Sequence, residues 1–370
     1  MYLKDYLRFG SRLFSKRGRN PVYLIHFVTH RCNANCAHCL RGDRLLPGDD
    51  ELSLDEIERV ARALGPMLFV FLTGGEPFLR DDLPDILGAY YRHCRVAKVQ
   101  IPSNGLLTDK IFADAERMAT ECPRTHIGVT ISLDALGEEH DRIRRREGLF
   151  EAATRTVLEL KRLEKRHENF NVNVTVTVTS YNQNGLIPLY EYVRDELGVA
   201  NIFNTLVRGE PRQQDALNVD IEKFEAFSNA IDEDLRSGRL DGYQRFAMSE
   251  FVNAKNLYSR KLIGSIVRES RQFIPCYAGS LAGVLLANGD VYPCELLEET
   301  MGNVREYDYR IDRIWSSERA AQVRGAVEGC FCTHECFISV NCLFNPKILA
   351  TLAKNAGLLK IKRALGGRGP

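Results

Sequence analysis

The sequence lacks any apolar run approaching the ~18 residues that span a bilayer, so contact with a membrane would be peripheral. It also lacks a charge excess: 50 Lys and Arg face 49 Asp and Glu, and a net charge of +1 argues against a nucleic-acid-binding surface. No secretory signal opens the chain, and eleven cysteines, an odd number, do not suggest a disulfide framework. A cytoplasmic protein is therefore expected, and in a reducing compartment close clusters of cysteine point to metal binding. Nine of the eleven fall in two groups: Cys32, Cys36 and Cys39, then Cys276, Cys294, Cys330, Cys332, Cys336 and Cys342, with only Cys94 and Cys122 apart. At 370 residues and 44% hydrophobic, the chain can bury a sizeable core, in one large domain and one smaller one.

The first group follows an apolar, strand-like run from residue 22, at the spacing Cys32-x3-Cys36-x2-Cys39. Three thiolates on one loop are too few for a closed zinc site, which takes four ligands, but suit an iron–sulfur cluster with one iron left open. The plainer readings are a partial zinc knuckle, or cysteines packed as small hydrophobes. A C-x3-C-x2-C loop after a first strand resembles the signature of the radical S-adenosylmethionine (SAM) superfamily. The resemblance implies an α/β fold, a partial (β/α)6 TIM-like barrel, with Cys32, Cys36 and Cys39 holding a [4Fe-4S] cluster whose fourth iron is chelated by SAM.

Downstream, Ser53 and Glu56 read as a capping box before a helix over 54–64. The apolar run 68–72 ends in Thr73-Gly74-Gly75-Glu76-Pro77, where paired glycines let backbone approach a ligand closely. Further strands at 96–102, 127–133, 172–178 and 202–209 alternate with helical stretches, which implies a parallel sheet with its site along the strands' C-terminal edge. Ser103, Asn104, Ser132 and Asp134 fall on that edge; the alternating 172–178 strand turns a polar Thr and Asn face into the barrel, and Arg208 faces substrate or SAM. By resemblance, Gly74, Gly75, Glu76 and Pro77 bind the SAM amino group, and Ser103, Asn104, Ser132 and Asp134 line its pocket. Arg144, after His140-Asp141, matches an arginine whose guanidinium fork contacts the SAM carboxylate. The family usually has glycine next, whereas here Arg145 and Arg146 follow.

In the second group, Asn288-Gly289 between two apolar runs signals a hairpin that brings Cys276 and Cys294 to one end. Four thiolates from a hairpin and a later cysteine cluster suit an iron–sulfur cluster or an all-cysteine zinc site. With Gly302-Asn303, Ile314-Trp315 and Cys330-x1-Cys332-x3-Cys336-x5-Cys342, the segment resembles the SPASM/Twitch extension of radical SAM enzymes, although it departs from their C-x2-C-x5-C-x3-C spacing. Six thiolates cannot fully ligate two four-iron clusters. One auxiliary [4Fe-4S] cluster is therefore expected on Cys276, Cys294, Cys332 and Cys336, with Cys330 or Cys342 able to replace either of the last two.

The expected order is a basic amphipathic helix (1–21), the barrel (22–235), a helical linker (236–270), a small cysteine-rich hairpin and helix domain (271–345) and a basic amphipathic tail (346–370). In the linker, Tyr243, Phe246 and Phe251 are read as packing rather than lining a substrate channel. The two basic ends leave peripheral contact with an anionic membrane open, although packing of the first across the bottom of the barrel is preferred. The resemblance implies an oxidoreductase or modifying enzyme that takes an electron from a donor such as flavodoxin or ferredoxin, cleaves SAM and abstracts hydrogen from a small molecule, lipid-linked substrate or peptide. No general acid or base is identified. The rival is a non-catalytic zinc or iron–sulfur protein acting through a partner; residues 74–77 and the polar strand ends speak against it, since a structural metal site needs no SAM pocket.

Overall fold

The computed structural model describes residues 3–16, 18, 20–40, 50–243, 248–327 and 330–366. After a short helix, α1 (Leu3–Leu7), six strands run parallel: β1 (Tyr23–Thr29), β2 (Phe69–Gly74), β3 (Lys98–Ser103), β4 (His126–Ser132), β5 (Phe170–Val178) and β6 (Ile202–Leu206). They are joined by α2 (Leu54–Leu64), α3 (Leu83–Cys94), α4 (Thr108–Glu121), α5 (Glu138–Arg144) with α6 (Leu149–Arg166), and α7 (Leu186–Glu191). Sheet order follows chain order from β6 back to β1, the parallel sheet the alternation implied and the strand succession of the partial barrel the resemblance implied. Every residue of β1 is buried, as a parallel strand covered on both faces requires. In β5, Val172, Val174, Val176 and Val178 sit in the core while Thr175 and Thr177 line the lumen, so the period of two divides the faces as expected. The capping box at Ser53 and Glu56 opens α2.

The second cysteine segment does not form a sheet of its own. β7 (Ala282–Leu285) adds parallel to β1, with Tyr23 opposite Ala282, and β8 (Asp290–Tyr292) and β9 (Gly302–Asn303) follow antiparallel. An open barrel leaves the β1 edge with unpaired backbone groups, and β7 supplies their partners. The hairpin between β7 and β8 turns at Gly289, whose φ of +92° suits glycine.

Helices α8 (Ile221–Ser237) and α9 (Ser249–Glu269) come next, and after α10 (Ile311–Trp315) and α11 (Glu318–Ala326) the chain ends in α12 (Glu335–Leu343) and α13 (Pro346–Gly366). The 236–270 segment, expected as a linker, is mostly α9; it packs on α8, α12 and α13 and walls the lumen. Phe246 lies outside the described residues. At the N-terminus Tyr6 and Phe9 are buried, the Tyr6 ring stands 5.7 Å from Phe344, and its hydroxyl donates to the Leu343 carbonyl. This segment thus packs beneath the barrel, its Leu7 and Phe14 left exposed. In α13, Ile348, Leu352 and Leu359 are buried. Among the described residues no single helix is long and apolar enough to cross a membrane.

Candidate active site

The cysteine loop leaves β1 and is held from three sides. Glu51 accepts hydrogen bonds from Thr29 Oγ1 (2.6 Å) and His30 N (2.7 Å). Asn35 N and Ala37 N donate to the carbonyls of Arg144 and Ile143 at the end of α5 (3.2 and 2.9 Å). Beyond β6, Arg212 N and Gln213 N donate to Cys39 O and Ala37 O (3.1 and 2.9 Å), and Arg212 Nη1 to Cys36 O (3.1 Å). Cys32, Cys36 and Cys39 are free thiols within electrostatic reach of one another. Burial raises Cys36 to about 11, against the pull of Arg144, whose Nη1 lies 3.9 Å from its sulfur. Three soft thiol donors on one tethered loop fit a cluster with one open iron. Among the described residues no three His, Cys, Asp or Glu side chains converge on a single-ion site.

At the end of β2 the glycines serve first to let the chain pass itself. A Cβ on Gly74 (φ +148°) would lie 2.2 Å from Thr29 O, and one on Gly75 2.1 Å from Arg31 O. That closeness lets Gly75 N and Glu76 N donate to those same carbonyls, at 2.9 and 2.8 Å. The Glu76 carboxylate is buried and accepts from Ser103 Oγ (2.9 Å), Asn104 N (2.8 Å) and Phe78 N (3.2 Å). Burial lifts its pKa to about 7 despite those donors. Pro77 opens the short turn that follows, and Asn104 Nδ2 reaches Asn33 in the cysteine loop at 2.7 Å. Three motif-bearing segments are thereby linked on one edge of the sheet.

Asp134, fully buried after β4, accepts from Arg144 Nε (2.7 Å) and Thr177 N (2.9 Å), while its own N donates to His140 Nδ1 (3.0 Å). His38 Nε2 lies 3.5 Å from the same carboxylate. Burial pushes the Asp134 carboxyl up, but Arg144, His38, His140 and the Thr177 N–H outweigh it and leave it below its usual range. Burial takes both histidines down to about 4. Arg144 is thus aimed by Asp134 toward the cysteine loop. Arg145, where the family has glycine, takes a left-handed φ of +51° at the end of α5. Ser132 sits half-buried at the end of β4.

In the second group the thiols within reach of one another are Cys276, Cys294, Cys330 and Cys332. Cys336 accepts a hydrogen bond from Tyr23 and lies near Glu295 and Arg208 on the lumen wall. Cys342 is fully buried in α12 against Ser259 and Lys255.

The barrel lumen is a cavity of about 400 Å³ leading from Thr73, Pro102 and Thr177 at the strands' C-terminal ends down to Lys98 and Tyr23 at their starts. Tyr243 and Phe251, for which packing was the preferred expectation and channel lining the lesser one, line it. Arg208 lies on its wall, held by Glu335 Oε2 (2.6 Å) and near Glu295 (3.8 Å). Sequence reasoning missed Glu51, Asn33, His38 and Arg212, which hold the site through tertiary contacts; an acidic residue ending a polar run was the sole signal, at Glu51.

Residues 27–193 match the radical SAM superfamily and residues 276–337 an iron-sulfur cluster-binding domain, SPASM. Fe-coproporphyrin III synthase of Methanosarcina barkeri is 35% identical over 160 residues, covering 42% of this chain and 37% of that protein. GTP 3′,8-cyclase of Stenotrophomonas maltophilia is 32% identical over 143 residues, covering 36% and 42%. The chain thus spans less than half the length of these relatives. The fold is shared with Streptococcus suis SuiB bound to precursor peptide SuiA (TM-score 0.61, 15% identity, 87% of this chain and 70% of that one). It is shared also with native anSMEcpe with bound AdoMet (TM-score 0.61, 14% identity, 94% and 100%). The two matched segments carry the two thiol groups, save Cys342, in the order described: residues 27–193 are a radical SAM superfamily domain and residues 276–337 a SPASM iron–sulfur cluster-binding domain.

Proposed function

We propose that this chain binds SAM on Gly74, Gly75, Glu76, Pro77, Ser103, Asn104, Ser132, Asp134 and Arg144, over a [4Fe-4S] cluster held by Cys32, Cys36 and Cys39, and abstracts hydrogen from a substrate seated in the lumen. The observation that carries this reading is the convergence of the thiol loop, buried Glu76 and the Asp134–Arg144 pair on the sheet edge from which the cavity descends. When bound, the first cluster would supply the electron for reductive cleavage of SAM and so the means of hydrogen abstraction, and an auxiliary cluster would supply a second redox centre.

The remaining work belongs to the protein's own side chains. Arg144, fixed by Asp134, offsets the negative charge that three thiolates bring together. Glu76 ties the ends of β2 and β3 into one rigid rim, and Arg212 and Gln213 latch the cysteine loop against it. Aromatic lining by Phe69, Phe71, Phe203 and Phe251 excludes water from the reacting centre. One auxiliary [4Fe-4S] cluster is assigned to Cys276, Cys294 and Cys332, with Cys330 taking the place of Cys336 as the fourth ligand. The net reaction is an oxidation or bond formation on a small molecule, lipid-linked compound or peptide, with the electron drawn from a flavodoxin- or ferredoxin-type donor.

The test is anaerobic reconstitution with iron and sulfide, reduction, addition of SAM and quantification of 5′-deoxyadenosine. The Cys32→Ala/Cys36→Ala/Cys39→Ala variant is expected to make none while retaining about four irons, the content of one cluster. Absence of deoxyadenosine from the wild type, or its persistence in the variant, overturns the reading.

A further inference from the structure

The lower end of the lumen carries two ammonium groups in mostly apolar surroundings. Lys98, at the start of β3 and 7% exposed, donates from Nζ to Tyr243 Oη at 2.9 Å and stands 4.1 Å from the centre of that ring. Lys255, on α9, lines the same cavity and donates from Nζ to Ser339 Oγ at 2.9 Å. Neither ammonium forms an ion pair with a carboxylate among the described residues. Burial, with a smaller push from Lys255, lowers Lys98 to about 7; burial, opposed by Cys342 and Cys336 and helped by Arg260, lowers Lys255 to about 8. Arg260 and Arg208, the other cations lining the cavity, are already matched, Arg260 by Asp232 at 2.5 Å and Arg208 by Glu335 at 2.6 Å. Two like charges facing one cavity with no carboxylate paired to either oppose folding, and such an arrangement persists where an anion completes it.

We infer that Lys98 and Lys255 form an anion-binding floor to the lumen, so that the substrate is an elongated amphiphile whose phosphate or carboxylate sits between these ammonium groups while its apolar body rises past Phe69, Phe71 and Phe203 toward the SAM edge. The depth sets its length: Lys98 and Pro102, both lining the cavity, are four residues apart on one strand, about 13 Å at the rise of an extended chain. The inference rests on the proposed function for which end reacts, and on the cavity alone for which end binds.

The probes are octyl phosphate, octanoate, 1-octanol and octyltrimethylammonium, titrated anaerobically into the reconstituted protein with thermal stabilisation and calorimetry as readouts. Octyl phosphate or octanoate is expected to bind and raise Tm, the alcohol and the cation to do neither, and the stronger anion names the headgroup. Lys98→Met and Lys255→Met should each weaken anion binding by about 10–100-fold, the range for losing one charge-assisted hydrogen bond. Lys98→Arg, which keeps the charge, should retain most of it. Both Met variants should also raise the ligand-free Tm, because each removes an unmatched buried charge. Iron is counted in every variant, since Lys255 lies within electrostatic reach of Cys336 and Cys342. Equal binding of octanol and the two anions, or undiminished anion binding in the double Met variant at wild-type iron content, overturns the inference. SAM cleavage without substrate is assayed separately, so a protein that binds the anion yet forms no deoxyadenosine sinks the radical SAM reading and leaves the anion floor standing.

Discussion

Replacing Asp134 by Asn removes one negative charge and leaves the fold around it formally intact. The Asn side-chain oxygen can still accept from Thr177 N, now 2.9 Å from Asp134 Oδ1, but its amide would face Arg144 Nε, donor against donor, across the present 2.7 Å contact. Arg144 is 6% exposed, so its guanidinium would stay buried without a carboxylate, a change that costs about 3–5 kcal/mol. An unfolding entropy of about 2.1 cal/mol/K per residue over 370 residues makes each kcal/mol worth about 1.3 °C, so Tm should fall by about 4–6 °C. Arg144→Met should cost a comparable amount by stranding Asp134. The double variant, with no charge left unmatched, should recover most of the loss and give a coupling energy well above the ~0.5 kcal/mol expected of independent sites. Differential scanning calorimetry of the four proteins reads this directly. Strictly additive single effects, or single-variant shifts under 1 °C, would refute the claim that the pair acts as one buried unit.

Gly75→Ala places a methyl 2.1 Å from the Arg31 carbonyl, so the end of β2 or the cysteine loop must move; a loss of about 1–3 kcal/mol and a lower iron content after reconstitution are expected, and unchanged iron and Tm would count against it. Glu56 is held near pKa 2, chiefly by the Arg305 hydrogen bond and against burial, with Ser53 and Tyr309 adding to it. Its contribution is therefore fully present above the unfolded value of ~4.3 and lost as pH falls toward 2; Glu56→Gln should flatten that part of the stability profile, by no more than about 1 kcal/mol at this half-buried surface contact. In the background lacking Cys32, Cys36 and Cys39, Cys330→Ser should strip the remaining iron while Cys336→Ser and Cys342→Ser keep it, as iron analysis would decide.

Much of the barrel was legible because its signals are local. A period of two in 172–178, the Ser53–Glu56 box and Asn288-Gly289 each depend on residues a few positions apart, and each appears where expected. The cysteine spacings are local in the same sense and mark the two iron–sulfur segments. Side-chain partnership across the fold left no such trace. The role of α9 was missed because an amphipathic helix is equally compatible with a linker and a wall; its partners α8, α12 and α13 decide which.

By itself the chain's covalent order determined the strand and helix succession, the three-thiol loop, and the glycines without which β2 could not pass within hydrogen-bond distance of Thr29 and Arg31. Only the tertiary structure decided that β7 would pair with β1, since any exposed strand edge offers the same backbone donors and acceptors. It decided too that Arg144 would meet Asp134, that Cys336 would meet Tyr23, and that Lys98 and Lys255 would share one cavity. The physical reason is common to all four: charge and hydrogen bonding act over a few ångströms of space, and positions 98 and 255 become neighbours only when α9 closes the open side of the barrel.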